Sequence, residues 1–139
     1  MTMTLVRRFS AVLAAVFMLV AVMSVHAHHS FAMFDNDNQI KLQGKVTDFQ
    51  WTNPHVYIEL DVGDDASGHK VWTIECANPG ILNRVGWKFN MIEKGDPITI
   101  VVAPMRTGQP AALLKAIKLA DGRIFNNGGP AGPATIPLE

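Results

Sequence analysis

His28 and His29 stand side by side, and a cut after Ala27 makes His28 the first residue of the mature chain. A terminal histidine offers its α-amine and its imidazole to the same ion. His29 adds a second imidazole and an amide nitrogen that deprotonates in Cu(II) sites. Nitrogen sets of this kind favour copper, because affinity for divalent ions peaks there and tetragonal geometry suits Cu(II). His55 and His69 are the candidates for a further ligand. Against this, two histidines at a flexible end bind copper weakly in almost any protein. A working site needs a folded third ligand and partners that orient the rings. Copper is the one cofactor expectation the residues raise.

The remaining chemistry-bearing residues read more plainly. His55 follows Asn53-Pro54 at the end of a strand, and satisfying loop carbonyls outweighs ligand binding there. Tyr57 and Trp87 are candidate contacts for a peptide or a glycan. Trp51 and Trp72 fall on the apolar faces of their strands and belong to the core. Glu59 and Glu75 project outward from neighbouring strands. Carboxylate pairs do acid–base work when burial separates their pKa values, and outward carboxylates are more simply solubilising. Cys76 is the single cysteine, so no internal disulfide can form, and it reads as a small buried hydrophobe. Met33, Met91 and Met105 are scattered as core filler. The sequence has no serine-centred nucleophile elbow, glycine-rich phosphate loop or Cys–His pairing cue. No catalytic residue is assigned, and an enzyme is not expected.

Targeting comes first among the elements that hold these residues. Arg7-Arg8 precedes an uncharged Ala/Val/Leu/Met run over Phe9–Val25, and Val25-His26-Ala27 fits a signal-peptidase site. Residues 1–27 are expected to be a general-secretion signal peptide cleaved after Ala27, leaving a periplasmic or secreted protein that is not membrane-bound. The run is near the lower limit for a spanning helix, so a retained anchor is the competing outcome. The flanks of the Arg pair fit twin-arginine export poorly. The chain carries 12 Lys+Arg and 12 Asp+Glu; removal of the segment leaves 10 against 12, a net charge of −2. Nucleic-acid binding normally demands a basic face, so nucleic acid is excluded as an expected partner.

The mature chain reads as a single mainly β domain. In GKVTDFQWTNPH (44–55) the apolar positions Ile40, Leu42 and Val46 change parity to Phe49 and Trp51, which predicts a β-bulge within one long bent strand. His55–Val62 alternates, with Val56, Ile58, Leu60 and Val62 on one face. Residues 63–68 form a turn, and Lys70–Cys76 returns antiparallel, with Trp72, Ile74 and Cys76 facing the core. Asn78-Pro79 predicts an N-cap and first helical position, with Ile81, Leu82 and Val85 as a stripe and Gly86 as the stop. Trp87 and Phe89 follow as plug or rim residues. Strands over Ile98–Val102 and Ala111–Leu119 come next, then Arg123–Phe125 as a returning piece. Residues 28–38 form an arm pinned by Phe31, Met33 and Phe34, and 126–139 are Gly/Pro-rich and expected to be disordered. Three strands, a short helix and two strands make the order of a small OB-like five-stranded antiparallel barrel over 28–125. An open sheet with the same strands is the alternative.

The segments HHSFAMFD, GKVTDFQWTNPH, WTIE, LNRVGW, KGD and LADGR together resemble a family of small exported bacterial proteins. The resemblance spans His28 to Phe125. It implies a shared fold and an envelope location, and it carries no established activity.

The leading expectation is thus an exported binding module that holds copper through His28 and His29, with His55 and His69 as added ligands. Its alternative is a protein- or peptide-interaction module without metal, its partner an envelope protein or peptide. A histidine-brace oxygenase is a third, weaker reading for so small a chain.

Overall fold

The computed structural model describes residues 31–139. The signal-peptide expectation, with its cleavage site and the histidines His28 and His29, lies outside the described residues. The elements are β1 (Ile40–Gln50), β2 (Tyr57–Asp64), β3 (Gly68–Glu75), α1 (Pro79–Arg84), β4 (Pro97–Pro104), β5 (Ala111–Lys118) and β6 (Ile124–Asn126). The sheet runs β3-β2-β1-β4-β5-β6, and a parallel pairing of β3 with β5 closes it into a barrel. This is the OB-like barrel with a short helix between its third and fourth strands. β6 adds a brief hairpin to β5 where the returning piece was expected. Among the described residues no helix is long and apolar enough to cross a membrane.

The long first strand does the closing. Its first half pairs with β4 (Ile40↔Val102 to Lys45↔Pro97) and its second with β2 (Gly44↔Val62 to Gln50↔Tyr57). The register slips between Val46, opposite Leu60, and Asp48, opposite Glu59, so Thr47 is the extra residue. That slip is what allows Val46 and Phe49 both to face the core, because strand parity otherwise forbids it. The interior is filled by Val56, Ile58, Leu60, Ile74, Ile100, Leu114 and Ile117, all fully buried. Asn78 caps α1 as expected, its side chain accepting from the Ile81 N–H at 2.9 Å. Leu82 on α1 is fully buried among these side chains.

The segment after Asn126 departs from expectation. Instead of being disordered it lies along the outer side of the sheet. Leu138 is buried with Val101 and Ala116, and Ala134 and Ile136 pack against them. Asn127 is buried, accepting from the Ala77 N–H at 2.7 Å and donating its own N–H to Lys115 O at 3.1 Å. Gln39 and Lys41 on or beside β1 hold Pro133 O, Thr135 N–H and Glu139 O. The physical reason is the apolar outer face of β4 and β5, whose residues are buried on both faces and need a cover. The N-terminal arm is pinned at Phe34, 2% exposed and bridged to Met105, whereas Met33 is largely exposed.

Lys115 sits in the second irregularity, between Leu114, opposite Val102, and Ala116, opposite Val101. It is 2% exposed, and its ammonium donates to Asn36 Oδ1 and to Ala131 O of the covering segment, with no carboxylate among those partners. Burial pushes its pKa down. The unfolded chain therefore holds a proton that the folded chain releases at lower pH. The cost of folding around the charge is complete below the folded pKa and is relieved as pH rises toward the ordinary value of about 10.4. Urea melts over that alkaline window are expected to show stability rising with pH from this group. Lys115→Met should flatten that slope, and an unchanged slope would remove Lys115 as its source.

Candidate functional site

Strand pairing sets one face of the β1–β2–β3 unit toward solvent. Opposite pairs on it are Asp48↔Glu59, Gln50↔Tyr57, Lys45↔Asp61, Asp61↔Val71, Glu59↔Thr73 and Tyr57↔Glu75. Alternation along the strands puts their neighbours Ile58, Leu60 and Ile74 in the core, which fixes these side chains outward. The face is dominated by carboxylates. Glu59, Asp61 and Glu75 are half-buried in its centre, and Asp48 is exposed at its margin. Lys41 and Lys118 lie elsewhere, around the β1–β4–β5 side. Lys45, across from Asp61, is a lysine on the carboxylate face itself.

The carboxylates are individually arranged. Glu59 accepts from the Thr73 hydroxyl at 3.1 Å, and Glu75 accepts from His55 Nδ1 at 2.9 Å. His55 Nδ1 also lies 3.1 Å from Cys76 O. Both partners only accept, so Nδ1 is the nitrogen that donates. The bland expectation for His55, pairing with a loop carbonyl, is realised and extended by Glu75. Tyr57 stands beside it, ring centroids 6.4 Å apart, and burial, with the Glu75 charge, raises the Tyr57 pKa. At the hairpin end a depression of 440 Å³ is lined by Gly44, Lys45, Asp61, Asp64, Asp65 and His69. Asp64 there is occupied with the turn, accepting from the Ala66 and Ser67 N–H groups and the Ser67 hydroxyl.

His69 closes that depression with both ring nitrogens, Nδ1 at 3.0 Å from Asp61 and Nε2 at 3.3 Å from Asp65. Asp65 first and then Asp61 raise its pKa. Both ring nitrogens of His69 are thus engaged by carboxylates. His69 and His55 also lie at opposite ends of the β2–β3 ladder. His69 pairs with Gly63, whereas His55 precedes Tyr57 by two residues. At about 3.3 Å per residue that is roughly 20 Å or more. The two therefore do not meet as joint ligands of one site, and His28 and His29, to which either was to be added, lie outside the described residues. Among the described residues no three His, Cys, Asp or Glu side chains are grouped to hold a metal ion.

Trp87 is likewise corrected as a ligand contact. It is 0% exposed, donates Nε1–H to Asn126 O at 2.9 Å and meets Phe125 edge-on at 6.2 Å. Trp51 and Trp72 flank the core as read from the sequence. Cys76 is sealed, and burial raises its thiol pKa far above the usual range, so it is not a nucleophile. What the residue types alone did not single out is the outward set Asp61, Thr73 and Val71. The hairpin register, with its turn at 65–67, is the signal that joins them.

In class the chain is a small OB-like β-barrel domain. Residues 15–114 match the model of a Family of unknown function (DUF6152), and the chain belongs to that family. None of the curated proteins matches it. It is similar in fold to two crystal structures of Rim1, a mitochondrial single-stranded DNA binding protein from S. cerevisiae. One has 14% identity over 66% of this chain and 96% of that one, with a TM-score of 0.48. The other has 15% identity over 66% and 97%, with a TM-score of 0.42. The exclusion of nucleic acid drawn from charge is corrected by these matches, because chains of similar fold are single-stranded DNA binding proteins and a near-neutral total does not remove that class.

Proposed function

We propose that the chain is a protein- or peptide-interaction module that takes a cationic partner on the outward face of β1–β2–β3. The observation that carries this reading is the cluster of half-buried Glu59, Asp61 and Glu75 around Tyr57, continued by the depression that Asp61, Asp65 and His69 line. On this face the carboxylates of Asp48, Glu59, Asp61 and Glu75 outnumber Lys45 and His69, beside apolar contact area at Val71 and Tyr57. We place its work outside the cytoplasm because of the Arg7-Arg8, apolar run and Ala27 pattern.

The test is fluorescence anisotropy with a labelled, end-blocked peptide, Thr-Lys-Val-Arg-Thr-Lys-Val, at two salt concentrations. Binding is expected to weaken with salt. It should fall about tenfold or more in the triple variant Glu59→Gln, Asp61→Asn, Glu75→Gln. Equal binding by that variant would overturn the reading, as would preference for a single-stranded oligonucleotide over the peptide. The mass of the exported protein checks the location, and a mass beginning at His28 is expected.

A further inference from the structure

The edge of the β2–β3 hairpin carries the reading one step further. β3 pairs with β2 along its whole length, Gly68 to Glu75, but with β5 only at Thr73, Ile74 and Glu75. Residues 68–72 therefore have one edge without a strand partner among the described residues. The direction of the backbone groups follows from a neighbour. Thr73 N–H donates to Pro110 O on the β5 side at 3.0 Å. Backbone groups alternate in direction along a strand, so His69 and Val71 point their N–H and C=O the same way, toward the edge that has no strand partner among the described residues. The chain before β5 does not cover them, since it folds back in a tight turn where Gly108 N–H donates to Met105 O. His69, Lys70 and Val71 are exposed, Val71 by 50%.

We infer that this edge takes up an extended segment of the partner as an added strand, with a Lys or Arg opposite Val71 and smaller or apolar residues beside it. The inference rests on the proposed cation-binding face and names how that face is reached. Neighbouring strands lie about 4.8 Å apart, so Asp61, directly across from Val71, is roughly 10 Å from an added strand. Arginine and lysine span that distance, their methylenes lying on the exposed Val71 side chain and their heads at Asp61 and Glu59. On the other side of the hairpin the added strand meets Trp72, over whose ring Lys70 Nζ sits at 5.6 Å, and that side suits an apolar residue. Main-chain pairing supplies affinity and the alternating side chains supply choice. A second copy of this chain fits less well. Antiparallel self-pairing about Val71 would set each β5 in line with the other β3 and confine the pairing to residues 70–72.

The full chain is titrated with the peptide named above while amide hydrogen exchange is followed. Slowed exchange at the His69 and Val71 amides on binding is expected. Val71→Pro, which removes a donor with no partner among the described residues, should weaken binding about tenfold, and Val71→Thr, which keeps it, should stay within about twofold. A peptide N-methylated at two adjacent central residues keeps its charges but cannot pair fully on either edge, and it should bind about as weakly as the proline variant allows. Equal binding by the methylated peptide, with continued dependence on Glu59, Asp61 and Glu75, overturns strand addition and leaves the cation face standing. Amides of His69 and Val71 already protected before peptide is added, or self-association lost in Val71→Pro, would also overturn it. Failure of both peptides to bind sinks both proposals. Should Val71→Pro fail to fold, the exchange data and the methylated peptide still decide the matter.

Discussion

Replacing Trp87 by alanine will destabilise the protein by about 3–5 kcal/mol, read as a lowered urea midpoint with an unchanged slope. The side chain is fully enclosed by the core and joins three parts of the chain. Its backbone N–H donates to Leu82 O at the end of α1, its indole N–H holds Asn126 O, and its ring meets Phe125 of β6. Alanine leaves a cavity too well framed to collapse, because barrel strands surround it. It also leaves the Asn126 carbonyl without its donor. For a unit of this size the loss is a large share of a total of about 5–15 kcal/mol. Trp87→Phe separates the two contributions. It keeps most of the apolar volume, loses the indole donor, and should cost about 1–3 kcal/mol. A loss under about 1 kcal/mol in Trp87→Ala would return Trp87 to the rim, where the sequence alone had left it a candidate ligand contact.

Gly44→Ala is expected to cost about 3 kcal/mol and to disturb the β1–β2 ladder ahead of the rest of the barrel. Gly44, like Lys45 after it, is paired on both sides, with Val62 of β2 and Ile98 of β4. A Cβ there would run into the Asp61 carbonyl and crowd the Leu60 side chain. The limit is space rather than backbone conformation, since Gly44 is not among the glycines with positive φ. Hydrogen exchange should show faster exchange along β1 and β2, and Gly44→Val should be worse. Because Asp61 belongs to the proposed face, the variant should also weaken cationic-peptide binding. Unchanged exchange along β1 would mean that the two strands can separate at that point without loss.

Much of the architecture could be read before folding because it rests on local rules. The parity change from Val46 to Phe49 names the bulge, and Asn78-Pro79 names the start of α1. The alternation of Val56, Ile58 and Leu60 names the inward side of β2. The disordered tail was misjudged because Gly/Pro composition describes the segment and not what it touches. The unbroken apolar run of Ile98 to Val102 was the available signal, since a strand buried on both faces needs a second cover. His69 was misjudged for a related reason. Its residue type suits metal, but the hairpin brings Asp61 and Asp65 to both of its nitrogens.

By itself the sequence determined the strands, the bulge, the cap and the buried alternation, because each depends on residues a few positions apart. It also determined the pattern at Arg7 to Ala27 on which the expected location rests. Tertiary structure alone decided that β3 meets β5 to close the barrel and that Trp87 lies inside. It also decided that the tail covers β4 and β5, and that Glu59, Asp61 and Glu75 gather on one face beside an open edge. Those outcomes depend on pairings between residues far apart in the chain, and neither composition nor periodicity encodes which distant strand will be the neighbour.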